Sequence, residues 1–255
     1  MRRKGDRGLG RLAPRDRDDD EQFLIRRALA APGTPLPKRK TWRLSSKSLN
    51  QGDTGTCVGH AWRNFLRCAP LMTDKGGPSP FDIYRQAVAL DEFRGNDNEA
   101  NLPDGDPGLD FGTTVRAGAK AVMDFGRLQS YLWAFALQPA VEWVLTNGPV
   151  VLGTDWWSSF MEPDDEGIVE IKPNAKLIGG HAYLWRGVDT TRGLARCTNS
   201  WGDDWGQSGE FLIPLRDLER LIADNGEVAT AVEKKYKAKS AAPPRQSAVQ
   251  RAASV

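Results

Sequence analysis

Apolar residues recur at helical spacing in the first half of the chain. Thr56 is a suitable helix N-cap, and the segment from there to Pro70 places its apolar residues on one helix face: Val58, Ala61, Trp62, Phe65 and Leu66. Ser79 and Pro80 are typical of the cap and first turn of a second helix. A third helix is predicted over residues 113–126, where a glycine ends it. The pattern therefore predicts a first half built from helices and loops.

The pattern changes near Gln138. A further helix is predicted from Pro139 to Asn147, and short runs rich in β-branched and aromatic residues then alternate with turn residues. The predicted strands cover residues 149–153, 168–171, 181–188, 194–199, 209–213 and 227–232. A helix from Leu215 to Ala223 interrupts the series. The predicted fold class is therefore α+β, with a helical lobe followed by a mostly antiparallel β lobe.

These patterns divide the chain into four segments. Residues 1–40 are rich in Arg, Asp, Gly and Pro without sustained periodicity, and we expect a partly disordered N-terminal leader. Residues 41–134 form the predicted helical lobe, and residues 135–232 form the predicted β-rich lobe. Residues 233–255 carry six Lys or Arg residues against one Glu, which predicts a basic disordered tail. Nucleic acid can bind such tails, but Tyr236 is its one aromatic residue, and we expect no nucleic-acid partner.

The composition is that of a globular protein and gives no membrane or secretion signal. Of 255 residues, 40% are hydrophobic, and no apolar run reaches 18 residues. The basic N-terminus is not followed by the apolar segment of a secretory signal. Cys57, Cys68 and Cys197 make no paired framework, which favours a reducing compartment. We expect a cytoplasmic protein without a membrane partner, with virion association as the alternative.

One thiol lies where a glycine-containing loop runs into the first predicted helix. Backbone N–H groups and the helix dipole favour a thiolate there, so we expect a lowered pKa for Cys57. Gln51 lies six residues earlier and offers a side-chain N–H to an oxyanion beside the sulfur. Downstream stand Gly-Gly-His-Ala, which contains His181, and Asn-Ser-Trp-Gly-x-x-Trp-Gly, which contains Asn199 and Trp201. A Cys, a His and an Asn in this order are the nucleophile, base and orienting amide of one class of thiol hydrolases.

Together these three stretches resemble the papain-like cysteine peptidases. His181 and Asn199 follow Cys57 by 124 and 142 residues, close to the family's spacing of about 130–150 residues. The resemblance implies a two-lobed fold whose active-site cleft lies between the helical lobe with the Cys helix and the β lobe with His and Asn. The leader, with its Pro-Arg-Asp-Arg-Asp stretch, resembles that of bacterial or phage-type members and is too short for a long inhibitory propeptide.

The resemblance implies a role for each candidate residue. Cys57 would attack the peptide carbonyl, and His181 would pair with the thiolate, protonate the leaving amine and later activate water. Asn199 would orient the imidazole, and Trp201 would cover their contact. Gln51 and the Cys57 backbone N–H would bind the oxyanion.

Further residues are expected to serve binding or packing. Gly112 and Gly180 would present backbone groups to an extended peptide, again by resemblance. His60, on the same predicted helix as the nucleophile, is interpreted as a packed core histidine, because the two side chains run roughly parallel. Cys68 and Cys197 are expected to be buried and inert. We expect no metal and no cofactor.

Three functions stay open at this point. The first is a cysteine endopeptidase acting on protein or peptide substrates, the second a peptidoglycan amide hydrolase with the same chemistry, and the third an inactive scaffold. Thr54 and Val58 depart from the family's better-known members, which have a disulfide cysteine and an aromatic residue there. The complete set of Gln51, Cys57, His181 and Asn199 favours the peptidase.

Overall fold

A computed structural model of the chain describes residues 7–15, 24–29, 35–73, 76–93, 111–126 and 128–233. Beyond its first residue, the predicted basic tail lies outside these ranges.

Five α-helices occur in the described part of the chain, close to where the periodicity predicts them. They are α1 (Cys57–Arg67), α2 (Pro80–Leu90), α3 (Val115–Asp124), α4 (Leu137–Thr146) and α5 (Leu215–Ala223). Local capping explains where two of them begin. Ser79 Oγ accepts from the Asp82 N–H at 3.1 Å, and the Asp82 carboxylate accepts from the Ser79 N–H at 2.9 Å, which forms a capping box on α2. Thr114 Oγ1 accepts from the Ala117 N–H at 3.0 Å and caps α3.

The strands of the described residues form one antiparallel sheet. They are β1 (Arg39–Thr41), β2 (Leu128–Trp133), β3 (Val150–Trp157), β4 (Leu177–Asp189), β5 (Leu194–Thr198), β6 (Glu210–Pro214) and β7 (Glu227–Glu233). Their order across the sheet is β2-β7-β3-β4-β5-β6, and β1 pairs with β4. The predicted α+β class, with helices and an antiparallel sheet, is confirmed.

The sheet separates two hydrophobic cores, because successive side chains of a strand point to opposite faces. On β4, Ala182 and Leu184 belong to the core formed with α1 and α3. Tyr183 and Trp185 belong to the other core, which includes α4 and α5. The Cys57 helix therefore packs on one face of the sheet, and β4 contacts it directly.

The sheet differs from its prediction in three places. Strand β1 lies at the boundary between the predicted leader and helical lobe, and strand β2 lies inside the predicted helical lobe, so both precede the range predicted for the β-rich lobe. Residues 168–171 do not form a strand: Ile168 makes a single bridge with Leu212, and the Ile171 N–H donates to the Asp217 carboxylate at 3.0 Å. The side chains of Asp164, Ser159 and Asp217 also bond backbone groups of this segment, so no ladder is needed to satisfy them.

No helix among the described residues is long and apolar enough to cross a membrane.

Candidate active site

Cys57 is the first residue of α1, and its side chain is fully buried. The packing of α1 on the sheet brings the thiol beside the backbone of β4. The backbone N–H groups of Ala182, in β4, and Gly10, in the N-terminal segment, lie close enough to the thiol to influence its pKa. The sulfur is therefore enclosed by two parts of the chain that are far apart in sequence.

Residues 8–12, called the leader segment below, run between β4 and the turn before α3. The Gly10 and Arg11 N–H groups both donate to the Gly180 carbonyl oxygen, at 3.1 and 3.0 Å. On the opposite wall, Thr113 exchanges two hydrogen bonds of 2.9 Å with the segment, in a parallel bridge centred on Arg11. The leader segment therefore occupies the cleft as a peptide bound through its backbone to both walls.

Gly112 and Gly180, predicted to present backbone groups to a peptide, both contact the leader segment. A Cβ atom on Gly112 would lie 2.1 Å, and one on Gly180 2.2 Å, from carbonyl oxygens of the segment, so any side chain would push it away. Gly180 binds the segment with its own carbonyl group. The Gly112 N–H instead donates to the Tyr84 hydroxyl at 3.2 Å, and its neighbour Thr113 makes the hydrogen bonds.

Enclosure reverses the pKa shift that the sequence predicts for Cys57. Burial raises the pKa of the thiol to about 11, although hydrogen bonds from the Ala182, Gly10 and Val58 N–H groups act in the opposite direction. The prediction of a lowered pKa is wrong for the cleft as it stands. The leader segment keeps water from the sulfur, so the thiolate loses more solvation than the helix N-terminus returns.

His181 and Asn199 form a hydrogen bond of 2.7 Å between Nε2 of the ring and Oδ1 of the amide. Oδ1 also accepts the Ser200 backbone N–H at 2.8 Å, so the NH₂ group cannot occupy this end of the amide. His181 must then donate from Nε2, which leaves the lone pair on Nδ1. Nδ1 has no hydrogen-bond partner among the described residues. This tautomer is the one that a general base at Nδ1 requires.

Aromatic rings enclose the imidazole of His181. The centroid of the Trp201 ring lies 4.8 Å from it with the planes 32° apart, and Trp156 packs edge-on at 4.7 Å. Burial lowers the pKa of His181 to about 4, although the hydrogen bond to Asn199 acts in the opposite direction. Imidazole and thiol are therefore both uncharged at neutral pH while the leader segment fills the cleft.

The amide of Gln51 is held in one orientation. Its Oε1 accepts a hydrogen bond from the Ser200 hydroxyl, while Nε2 donates to the Thr54 carbonyl oxygen at 2.7 Å and to the Gly8 carbonyl oxygen at 3.2 Å. The Trp201 indole N–H donates to the same Gly8 oxygen at 3.3 Å. One N–H of Gln51 is thus already bound to a peptide carbonyl oxygen of the leader segment.

The other candidates lie in the core. His60 is 2% exposed, its Nδ1 lies 3.0 Å from the Thr56 carbonyl oxygen, and its ring packs edge-on against Phe81. Burial lowers the pKa of His60 to about 4. Cys68 and Cys197 are free and buried, and burial raises the pKa of both. Within the described ranges, no cluster of His, Cys, Asp and Glu could hold a metal ion.

Sequence reasoning missed the residues that fill the cleft. Gly8, Gly10 and Arg11 belong to a segment without periodicity, and nothing in their spacing relates them to Cys57. The Gly-Leu-Gly pattern was the one available signal, because glycines allow close backbone approach. A Cβ atom on Gly10 would lie 1.9 Å from the Gly55 carbonyl oxygen.

This arrangement of a Cys helix against an antiparallel sheet is the papain-like two-lobed fold. The structure of xylellain, a cysteine protease from Xylella fastidiosa, superposes on the chain with a TM-score of 0.65 at 16% sequence identity. The match covers 92% of this chain and 99% of the xylellain chain. Procathepsin L2 proteinase from the larval midgut of Tenebrio molitor superposes with a TM-score of 0.63 at 18% sequence identity. That match covers 89% of this chain and 78% of the procathepsin chain. The predicted fold is confirmed.

Curated proteins give the same relationship. A cathepsin B-like cysteine proteinase of Caenorhabditis elegans is 33% identical over 87 residues, which span 33% of the chain and 22% of the nematode protein. An uncharacterized peptidase C1-like protein of Acanthamoeba polyphaga mimivirus is 23% identical over 235 residues, which span 74% of the chain and 71% of the viral protein. No family model matches the chain. The predicted resemblance to papain-like cysteine peptidases is confirmed.

Proposed function

We propose that this protein is a cysteine endopeptidase that hydrolyses peptide bonds in protein or peptide substrates. The observation that carries the proposal is the peptide already in the cleft. The leader segment passes over Cys57 and is held by backbone hydrogen bonds to Gly180 and Thr113. Such bonds recognise an extended peptide whatever its side chains. A substrate would take the place of the leader segment, and the closed cleft would open first.

The first half of the reaction transfers an acyl group to sulfur. His181 Nδ1 takes the thiol proton, and the thiolate of Cys57 attacks the substrate carbonyl carbon. The oxyanion accepts the Gln51 N–H that now binds the leader segment, together with the Cys57 backbone N–H. The C–N bond then breaks, and the imidazolium gives its proton to the leaving amine.

The second half restores the thiol. His181 Nδ1 removes a proton from water, the hydroxide adds to the thioester, and the C–S bond breaks as the sulfur recovers the proton. Through both halves Asn199 keeps the ring plane and the Nε2–H tautomer. Trp201 covers this contact and keeps water from it.

The test is cleavage of an internally quenched peptide library, with purified peptidoglycan incubated in parallel. A Gly10→Ala variant serves beside the unaltered chain, because its Cβ atom would clash with the Gly55 backbone and displace the leader segment. We expect peptide cleavage that a Cys57→Ala substitution abolishes. Cleavage of peptidoglycan amides alone would establish the alternative hydrolase. If the opened variant cleaves neither substrate, an inactive scaffold would be the remaining hypothesis.

A further inference from the structure

The side chain of Arg11 enters a pocket in the wall of the cleft and is 2% exposed there. Its Nε lies 3.0 Å from Glu227 Oε2, and Nη2 donates to the Asn225 carbonyl oxygen. Nη1 lies 3.8 Å from Asp155 Oδ1 at the partly exposed rim. A guanidinium is thus bound by one carboxylate at the base, one at the rim and a backbone oxygen.

The carboxylate of Glu227 is positioned independently of Arg11. Glu227 begins β7, and its oxygens lie 3.4 Å from the Val115 N–H and 3.3 Å from the Arg116 N–H, at the N-terminus of α3. These donors and the helix dipole stabilise a negative charge. The side chain is nevertheless 0% exposed, and a buried carboxylate needs a cation to offset its lost hydration. Departure of the leader segment would remove the Arg11 cation from this carboxylate, and a cationic side chain of another peptide could take its position.

The shape of the pocket also suits a long unbranched side chain. A Cβ atom on Gly153 would lie 3.1 Å from both Cγ and Nε of Arg11 and 2.6 Å from Cγ2 of Val115. Because Gly153 has no side chain, a channel remains through which the aliphatic stem of Arg11 reaches Glu227. The pocket adjoins the candidate nucleophile, because Gly10, the residue before Arg11, lies close enough to the Cys57 thiol to influence its pKa.

We propose that the pocket of Val115, Gly153, Asp155, Asn225 and Glu227 selects an arginine side chain of the substrate beside the scissile bond. The proposal rests on the proposed peptidase function. Arginine should exceed lysine, because the Nε and Nη2 donors bind different acceptors in a fixed fork that a single ammonium cannot match. Arg11 is then a resident occupant that competes with substrate.

The test uses the full chain with Gly10→Ala and Arg11→Ala together, which displace the leader segment and empty the pocket. Matched fluorogenic peptides carry Arg, Lys, Leu or Glu at each of the three positions before the scissile bond. At one position we expect kcat/KM for Arg to exceed that for Leu by about 10-fold or more. Adding Glu227→Gln should collapse this ratio towards one, and Asp155→Asn should reduce it less. Glu219→Gln, at an exposed position of α5, should leave the ratio unchanged.

Binding separates this proposal from the peptidase itself. Fluorescence anisotropy of labelled Arg and Leu peptides, with circular dichroism to confirm folding, needs no turnover. An Arg advantage in binding that Glu227→Gln removes would support the pocket even if no peptide is cut. Cleavage without preference for Arg, or a preference that survives Glu227→Gln in a folded protein, would overturn the pocket and leave the peptidase. Neither cleavage nor an Arg advantage in binding would overturn both.

Discussion

The Trp201 ring lies over the imidazole of His181, with centroids 4.8 Å apart and planes tilted by 32°. The indole shields one side of the His181–Asn199 hydrogen bond from solvent, and it contributes to the burial that lowers the pKa of His181. Water would otherwise compete for Nε2 and solvate the imidazolium.

Trp201→Ala should therefore raise the pKa of His181 from about 4 towards its ordinary 6.5 and reduce kcat by about 10- to 100-fold, because the ring loses its fixed plane. NMR titration of the imidazole protons measures the shift, and His60 serves as reference in the same spectrum. Trp201→Phe, which retains much of the cover, should change both quantities less. An unmoved His181 titration in the Ala variant would show that Trp201 does not control hydration here.

The leader segment should control the reactivity of Cys57. With the segment in place the thiol pKa is about 11, so the unaltered protein should react slowly with iodoacetamide at pH 7. Gly10→Ala should displace the segment and increase the rate of Cys57 alkylation by at least about 10-fold, since the helix N-terminus lowers the pKa of a thiol that is open to solvent.

Mass spectrometry after brief alkylation reports Cys57, Cys68 and Cys197 together, and the two buried cysteines should stay slow. Ala13→Ser, at an exposed position next to the leader segment, is the matched control. Equal rates in the Gly10 and Ala13 variants would show that the segment does not protect the sulfur.

Local patterns were enough to predict the elements that position the candidate site. The apolar face after Thr56 placed Cys57 at a helix N-terminus, and α5 was predicted at its observed bounds. His181 was predicted at the start of a strand because a run rich in β-branched and aromatic residues begins there, and it lies in β4 opposite Thr154. These features depend on periodicity within one segment, which a sequence displays directly.

Features that depend on long-range contacts were not predictable. The sign of the Cys57 pKa shift depends on a segment nearly fifty residues upstream, whose presence in the cleft no local pattern encodes. The sequence predicts only that Glu227 begins a strand, whereas its ion pair with Arg11 depends on the fold. Strand β2 was missed because Gln129 and Ser130 interrupt its apolar run, while pairing with β7 supplies its stability.

Acid should destabilise the protein through its two histidines. Burial lowers the pKa of both His60 and His181 to about 4, so the unfolded chain binds more protons between pH 6.5 and pH 4. The stability from these neutral rings is complete above pH 6.5 and is lost as pH falls through 4. Each can contribute up to about 1.4 kcal/mol per pH unit in that window. Urea unfolding at pH 7 and 4.5 measures the difference, and His60→Asn should reduce it. An equal loss with and without His60 would show that this ring does not resist protonation.

Asn199 and His181 should differ in importance. Asn199→Ala removes the acceptor that holds Nε2, but the imidazole can still sample a productive plane, so measurable activity should remain. His181→Ala removes the group that we propose as both base and acid, and it should reduce turnover far more. Peptide turnover by the two variants, each with Gly10→Ala to open the cleft, measures the hierarchy. Equal losses would contradict an orienting role for Asn199.

Gln51 gives the sharpest test of the proposed oxyanion site, because a hydrogen bond to its Oε1 atom fixes the orientation of the side-chain amide. The Ser200 hydroxyl donates to Oε1, so both hydrogens of Nε2 face the cleft side, one on the Thr54 oxygen and one on the leader segment. Gln51→Ala should lower kcat by about 10²–10³ with little change in KM, as expected for a donor that acts mainly on the oxyanion.

Ser200→Ala provides the matched comparison. It keeps the Gln51 donor but removes the hydroxyl that orients the amide, so its loss in kcat should be smaller than that of Gln51→Ala. Gln51→Glu retains the acceptor for Ser200 but presents a negative charge to the oxyanion, and it should be at least as damaging as alanine. Steady-state kinetics in the Gly10→Ala background separate kcat from KM. If kcat is unchanged in Gln51→Ala, the leader segment's contact with Gln51 is structural, and the oxyanion must depend on backbone donors alone.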